Sequence, residues 1–202
     1  MPKLLLATSN LAKVREYRSL LSGVPYELVT LAEEGIGDIA GEEAETLEEN
    51  AILKATTYAA RGQLLALADD SGLEVDALAG EPGARSARYA GRVASDRELI
   101  DYLLAKLEGV PWDKRAARFR CFIALARPGG EVELCCGECH GVISFEPRGE
   151  GGFGYDPIFY LPELGKTMAE LPLGVKNQVS HRARAAQGAR LVLEKLRGEI
   201  QD

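Results

Sequence analysis

Four cysteines, two histidines and no apolar run long enough to cross a bilayer mark what this 202-residue chain has little of. Cys121, Cys135, Cys136 and Cys139 are too few and too bunched for a disulfide framework in a chain of this size. Three of them lie with a histidine in Cys135-Cys136-Gly137-Glu138-Cys139-His140, which invites a zinc reading. A structural zinc site draws its ligands from two separated pairs, and adjacent residues of a strand point to opposite faces, so small strand residues in a reducing compartment are the better account. His181 then has no second histidine in a catalytic arrangement, and no serine triad is expected.

Basic residues number 24 against 31 acidic ones, a formal charge of −7. Such a surface does not displace counterions from a nucleic-acid backbone, so no nucleic-acid partner is expected. One small polyphosphate stays open, because basic residues near loop motifs can form a local positive cleft. The segment Met1 to Ala7 holds one lysine and too brief an apolar stretch for a signal peptide, and reads as a first strand. A cytoplasmic protein without membrane association is expected. With 46% hydrophobic residues, no low-complexity linker and no internal repeat, the chain reads as one domain over 1–202, or two lobes sharing a sheet.

The pattern predicts a strand over 3–7, an amphipathic helix over 11–21, a short strand over 26–30 and an acidic loop over 32–45. Thr46 and Glu49 form a capping box for a helix that Gly62 stops, and Ser95 with Glu98 forms another for a helix to about Leu107. Between them come a buried strand over 64–68, an Asp-Asp-Ser-Gly turn and a Gly/Pro loop to Gly91. Strands over 118–126 and 131–145 flank the hairpin residues Pro128-Gly129-Gly130, a short strand covers 158–160, and a last helix begins near Ser180 and buries Ala186, Ala189, Leu193 and Leu196. Strands and helices alternate early and a hairpin follows, so the class is α/β with a mixed sheet.

Ala68-Asp69-Asp70-Ser71-Gly72 sets two carboxylates where the buried strand gives way. A hard-oxygen pair at a strand end suits Mg²⁺, which takes one or two carboxylates and leaves its other positions to water and phosphate; the same residues also suit a solvated turn. Thr8, Ser9, Asn10, Leu11, Ala12 and Lys13 join the first strand to the first helix, where free N–H groups and the helix dipole make an anion site, unless Ser9 or Asn10 simply caps the helix. No P-loop is present, because its glycines and its Gly-Lys-Ser/Thr ending are missing. Glu42, Glu43 and Glu45 precede the helix that carries Lys54, so a glutamate can complete a metal site with Asp70 while Lys54 neutralises phosphate. Gly151-Gly152-Phe153-Gly154-Tyr155-Asp156-Pro157 offers an aromatic face beside a carboxylate, suited to a planar heterocycle. Lys176, Ser180, His181 and Arg182 bring several donors together near the last helix.

Taken in order, Ala7-Thr8-Ser9-Asn10 with Lys13, Glu49-Asn50-Ala51 with Lys54-Ala55, Ala68 to Leu73, Pro82-Gly83 with Ser86-Ala87-Arg88-Tyr89, Gly151 to Pro157 and Ser180-His181-Arg182 resemble the non-canonical purine nucleoside triphosphate pyrophosphatases. This dITP/XTP, or inosine triphosphate, pyrophosphatase resemblance covers nearly the whole chain. It implies an elongated mixed central sheet with flanking helices, two lobes around an active-site cleft, and a homodimer. It implies Mg²⁺-dependent hydrolysis of the α–β anhydride of ITP, dITP and XTP to the monophosphate and pyrophosphate.

Carried onto these residues, the resemblance makes Thr8, Ser9, Asn10, Lys13 and Lys54 phosphate ligands and Ser71 a nearby substrate contact. Asp70 becomes the general base and a metal ligand with Glu42, or with Glu43, and Asp69 supports that pair. Phe153, flanked by Gly154 and Tyr155, stacks on the purine; Asp156 and Lys176 contact the nucleoside end, and His181 with Arg182 reaches O6. Three other readings share some of these features: a pyrophosphatase for another modified triphosphate, a nucleotide sensor without turnover, and a thiol-metal protein using residues 135–140.

Overall fold

The computed structural model describes residues 1–38, 44–91 and 94–199. Its strands are β1 (Lys3–Leu6), β2 (Glu27–Thr30), β3 (Leu65–Val75), β4 (Ala116–Ala126), β5 (Val132–Ile143), β6 (Phe159–Leu161) and β7 (Lys166–Thr167), in one mixed sheet of order β2-β1-β3-β4-β5-β6-β7. The helices among the described residues are α1 (Leu11–Leu20), α2 (Leu47–Gly62), α3 (Asp96–Lys106), α4 (Leu173–Val179) and α5 (His181–Glu199). None of them is long and apolar enough to cross a membrane.

The chain forms two compact units, the first from Met1–Asp70, Cys121–Gly137 and Arg182–Asp202, the second from Ser71–Arg120 and Glu138–His181. In the first, β1 runs parallel to both β2 and β3. Alternation along those strands splits the core by face. Leu4, Leu6 and Leu67 pack with Tyr17 and Leu21 and with Ala185, Ala189 and Leu193 of α5. Leu5, Ala66 and Ala68 pack instead with Ala51, Ala55 and Tyr58 of α2. The second unit centres on Leu73, Val75, Leu99, Leu103, Phe119, Ile143 and Phe159, with β5, β6 and β7 joined antiparallel.

Both expected capping boxes form, at Thr46 with Glu49 and at Ser95 with Glu98. The helix stop differs by one residue. Gln63 takes the left-handed turn at φ 51°, while a side chain on Gly62 would press on Ile36 Cδ1 at 2.9 Å, so this glycine serves close packing. A larger difference concerns residues 69–72. They form no turn: β3 runs unbroken through them. A side chain on Gly72 would run into the Gly83 carbonyl oxygen, so this glycine admits a neighbouring backbone rather than ending the strand. That neighbour is a 3-10 helix, Gly83–Arg88, inside the expected Gly/Pro loop, where Ser86 Oγ accepts a hydrogen bond from Leu73 N at 2.8 Å.

Candidate active site

In the first unit α1 is capped by Asn10, whose Oδ1 accepts from Ala12 N at 2.9 Å and Lys13 N at 3.2 Å, while Thr8 Oγ1 accepts from Asn10 N. Ser9, Asn10 and Leu11 are exposed. The capping role weighed for this junction is therefore filled by Asn10. One turn on, Lys13 Nζ lies 3.0 Å from Asp69 Oδ1. From α2, Lys54 Nζ lies 2.5 Å from Asp70 Oδ1.

The two carboxylates do not form the expected pair. Successive residues of a continuous strand face opposite ways, so Asp69 points with Leu67 towards α1 and α5, and Asp70 points with Ala66 and Ala68 towards α2. Their settings differ accordingly. Asp69 is sealed, with a side chain 0% exposed, and Asp70 keeps 16% exposure beside the half-open Lys54.

Arg182 enters this network from α5. Its Nε and Nη2 each donate to Asp69 Oδ2 at 3.2 Å, and its Nη1 donates to Glu16 Oε2 at 2.8 Å. Lys13, Arg182, Asp69 and Glu16 thus balance two positive against two negative charges in the interior. Burial alone would raise the Asp69 carboxyl, but Lys13, Arg182 and Lys54 outweigh it and hold the group far below the usual carboxylate range. Cys121 Sγ lies 3.8 Å from Asp69 Oδ2, and burial together with that negative charge pushes its thiol up to about 12. It is a neutral packing group. Arg182, expected as a donor to O6, is here engaged by two buried carboxylates, a positioning geometry.

Glu16 was not singled out from sequence. The available signal was its place on the α1 stripe of Lys13, Glu16, Tyr17 and Leu20, where a carboxylate among core residues calls for a buried cation.

The second unit gathers the aromatic group. Asp156 and Lys176 are both 3% exposed and form an ion pair of 2.7 Å. Asp156 Oδ2 also accepts from Phe153 N at 3.0 Å, and Lys176 Nζ lies 5.1 Å from the centre of the Phe153 ring. The expected role of the glycines changes. At Gly152 the space a side chain would need is filled by the Asp156 carboxylate, so this glycine lets the loop close on its own anchor rather than on a ligand. Tyr155, grouped with the substrate contacts, is buried and donates its hydroxyl to Ser86 O at 2.9 Å; it braces the loop. Gly154 N donates to Asp96 Oδ2 at 2.7 Å. His181, 4% exposed, stacks on Phe119 at 4.6 Å and 16°, and Ser71 is half-buried on β3.

Glu42 and Glu43 lie outside the described residues. Among those described, no three histidine, cysteine, aspartate or glutamate side chains form a metal-holding cluster. Residues 135–140 lie in β5, with Cys135 half-buried, Cys136 exposed and Cys139 buried.

The chain belongs to the Ham1 family, whose model matches residues 4–191. It is similar to the dITP/XTP pyrophosphatase of Geobacter sulfurreducens, 52% identical over 92% of this chain and 93% of that protein. The dITP/XTP pyrophosphatase of Bacillus subtilis is 44% identical over 96% of this chain and 98% of its own. Among solved structures, a Ham1 protein from Coxiella burnetii superposes with a TM-score of 0.87 at 42% identity, covering 96% of this chain and all of its own. A nucleoside-triphosphatase, dITP/XTP pyrophosphatase, from Mycobacterium abscessus gives 0.73 at 40% identity, covering 93% and 97%.

Proposed function

We propose that this protein is a nucleoside triphosphate pyrophosphatase that hydrolyses dITP, ITP and XTP at the α–β anhydride, releasing the monophosphate and pyrophosphate and so clearing these nucleotides from the pool. The observation that carries the reading is the pairing of an accessible carboxylate with an accessible lysine, Asp70 with Lys54, one residue along β3 from the sealed Asp69, which meets the partly exposed Lys13. Hydrolysis of a phosphoanhydride needs positive charge on the phosphate oxygens and a base for the attacking water. Lys54 and Lys13, with the start of α1 at Thr8, Ser9 and Asn10, supply the charge and donors, and Asp70 accepts the proton.

The donor set fits Mg²⁺. Asp70 Oδ2 takes no hydrogen bond from the described residues, so it offers a hard oxygen to a cation while Oδ1 stays on Lys54. Asp70 would hold the ion with Glu42, or with Glu43. An ion held there would supply charge neutralisation for the phosphates and a site for the attacking water.

Phe153 supplies a face for the purine with Lys176 and Asp156 beside it, and His181, stacked on Phe119, is a donor for the base. The acidic chain, with its free cysteines and net charge of −7, suits a cytoplasmic enzyme with no nucleic-acid or membrane partner. The resemblance favours a homodimer.

The test is incubation of the protein with ITP and Mg²⁺ and identification of the products. IMP with pyrophosphate is expected, and activity should vanish with EDTA. IDP with phosphate would place cleavage at the other anhydride. A wider panel of triphosphates separates this reading from a pyrophosphatase for another modified base.

A further inference from the structure

The loop that carries Phe153 is held at consecutive residues by partners of three kinds. Phe153 N is taken by Asp156 Oδ2 at 3.0 Å, Gly154 N by Asp96 Oδ2 at 2.7 Å, and the Tyr155 hydroxyl by Ser86 O at 2.9 Å. The first bond is internal to the loop. The third comes from a buried ring and ties the loop to the 3-10 helix 83–88, whose Ser86 also fixes Leu73 of β3. The second comes from α3. Asp96 is the first residue of that helix, directly after the Ser95 cap, and its backbone is fixed by the capping box of Ser95 with Glu98. The box leaves the Asp96 side chain free to reach outside the helix, where it meets Gly154 N across 58 positions of chain.

We infer that Asp96 is a positioning residue for base recognition: through Gly154 N it sets the height and tilt of the Phe153 ring on which the purine rests. The inference rests on the reading of Phe153 as the face for the base. A carboxylate accepting from a backbone N–H makes a charge-assisted bond, stronger than a neutral one and directional. It acts on Gly154, the one of the three glycines in Gly151 to Asp156 whose Cβ position is open, at φ +61°, so no side-chain packing fixes this residue. Without the bond, Gly154 can rotate, and Phe153 moves with it because the two share a peptide plane. Phosphate contacts lie in other residues, so the loss falls on binding of the base and leaves the chemical step.

The test compares wild type, Asp96→Ala, Asp96→Asn and Phe153→Ala in the full-length protein, after thermal melting shows that each folds. Exchange of the Gly154 amide is followed by NMR without substrate. KM and kcat are measured for ITP and XTP, and inorganic triphosphate, which has the phosphates and no base, is measured as a competitive inhibitor. Asp96→Ala should speed Gly154 exchange and raise KM for both nucleotides by roughly three- to tenfold, a part of what one bond to a charged group is worth, since Phe153 keeps its own anchor on Asp156. Its kcat and its inhibition by inorganic triphosphate should stay within about twofold of wild type. Asp96→Asn keeps an acceptor oxygen and should recover most of the lost affinity. A wild-type KM in Asp96→Ala, beside a raised KM in Phe153→Ala, would overturn the role of Asp96. Equal defects in Asp96→Asn and Asp96→Ala would assign the effect to charge at the start of α3 and overturn it too. A normal KM in Phe153→Ala would sink the base-face reading itself, and the inference with it.

Discussion

Asp69 and Asp70 are neighbours in the chain whose carboxylates point to opposite faces of β3, one 3.0 Å from Lys13 of α1 and the other 2.5 Å from Lys54 of α2. Strand alternation therefore separates two tasks that a turn would have merged. The buried carboxylate ties α1 and α5 to the strand through Lys13 and Arg182, and the accessible one is the proposed base. The Asp69 side chain is 0% exposed and that of Asp70 16%.

Asp70→Asn is expected to fold and to lose nearly all turnover. The side chain lies outside the core, and the amide keeps its size while losing the proposed base and the proposed charged oxygen ligand. Loss of a general base lowers rate by about 10²–10⁴-fold, with any metal defect added. Single-turnover hydrolysis of ITP measures it, with far-UV circular dichroism as the control. Turnover within a few-fold of wild type would remove Asp70 from the mechanism.

What the sequence made legible follows from the range of the signal. Periodicity and capping boxes are local, and they place α1, α2, α3 and the buried face of α5 within a residue or two. The Asp-Asp-Ser-Gly stretch misled because Gly72 carries two meanings, turn and close approach, and only the Gly83 carbonyl packed against it decides between them. Tyr155 and Arg182 were legible as motif members but not as braces, since their partners Ser86 and Asp69 lie 69 and 113 positions away. The seven-residue α4 and the two-residue β7 are too short to carry a period.

Gly72→Ala should destabilise the protein by about 1–3 kcal/mol, as overpacking does, because a methyl group would meet the Gly83 carbonyl and lie 3.1 Å from Ser86 Oγ. A lower urea midpoint at unchanged slope is the expected result. If the midpoint holds, Gly72 was not kept by that contact.

Acid should act on stability through Asp69. Its folded carboxyl sits far below the unfolded value of about 3.9, so its contribution is complete above that value and fades as pH falls towards the folded one. Asp69→Asn mimics the protonated acid and takes the buried negative charge away from Lys13 and Arg182, a loss of about 3–5 kcal/mol at pH 7. The gap between the two proteins should hold from pH 7 to about 5, then narrow by roughly 1.4 kcal/mol per unit below pH 4. Urea melts at pH 7, 5 and 3 measure it. A gap still constant at pH 3 would mean that the Asp69 carboxyl is not depressed in the folded state.

Arg182 is where the motif-based role and the observed geometry give different outcomes. A donor to O6 should matter for ITP and XTP and hardly for ATP, so Arg182→Ala would lower kcat/KM for ITP by ten- to more than a hundred-fold relative to ATP, the effect of about 1.5–3 kcal/mol in one charged hydrogen bond. The observed guanidinium is 1% exposed and bonded to Asp69 and Glu16. Its removal takes the guanidinium from two buried carboxylates and leaves Asp69 with its Lys13 ion pair, so the expected result is a loss of about 3–5 kcal/mol of stability and a similar fall in kcat/KM for ITP, XTP, GTP and ATP. Glu16→Gln separates the causes, because Glu16 Oε2 holds the guanidinium through Nη1 at 2.8 Å and carries no proposed role in binding the base. It should reproduce part of the uniform loss, and a double-mutant cycle with Arg182→Met should show coupling of about 0.5–3 kcal/mol. A selective fall for ITP in Arg182→Ala with unchanged Glu16→Gln kinetics would return the guanidinium to the base.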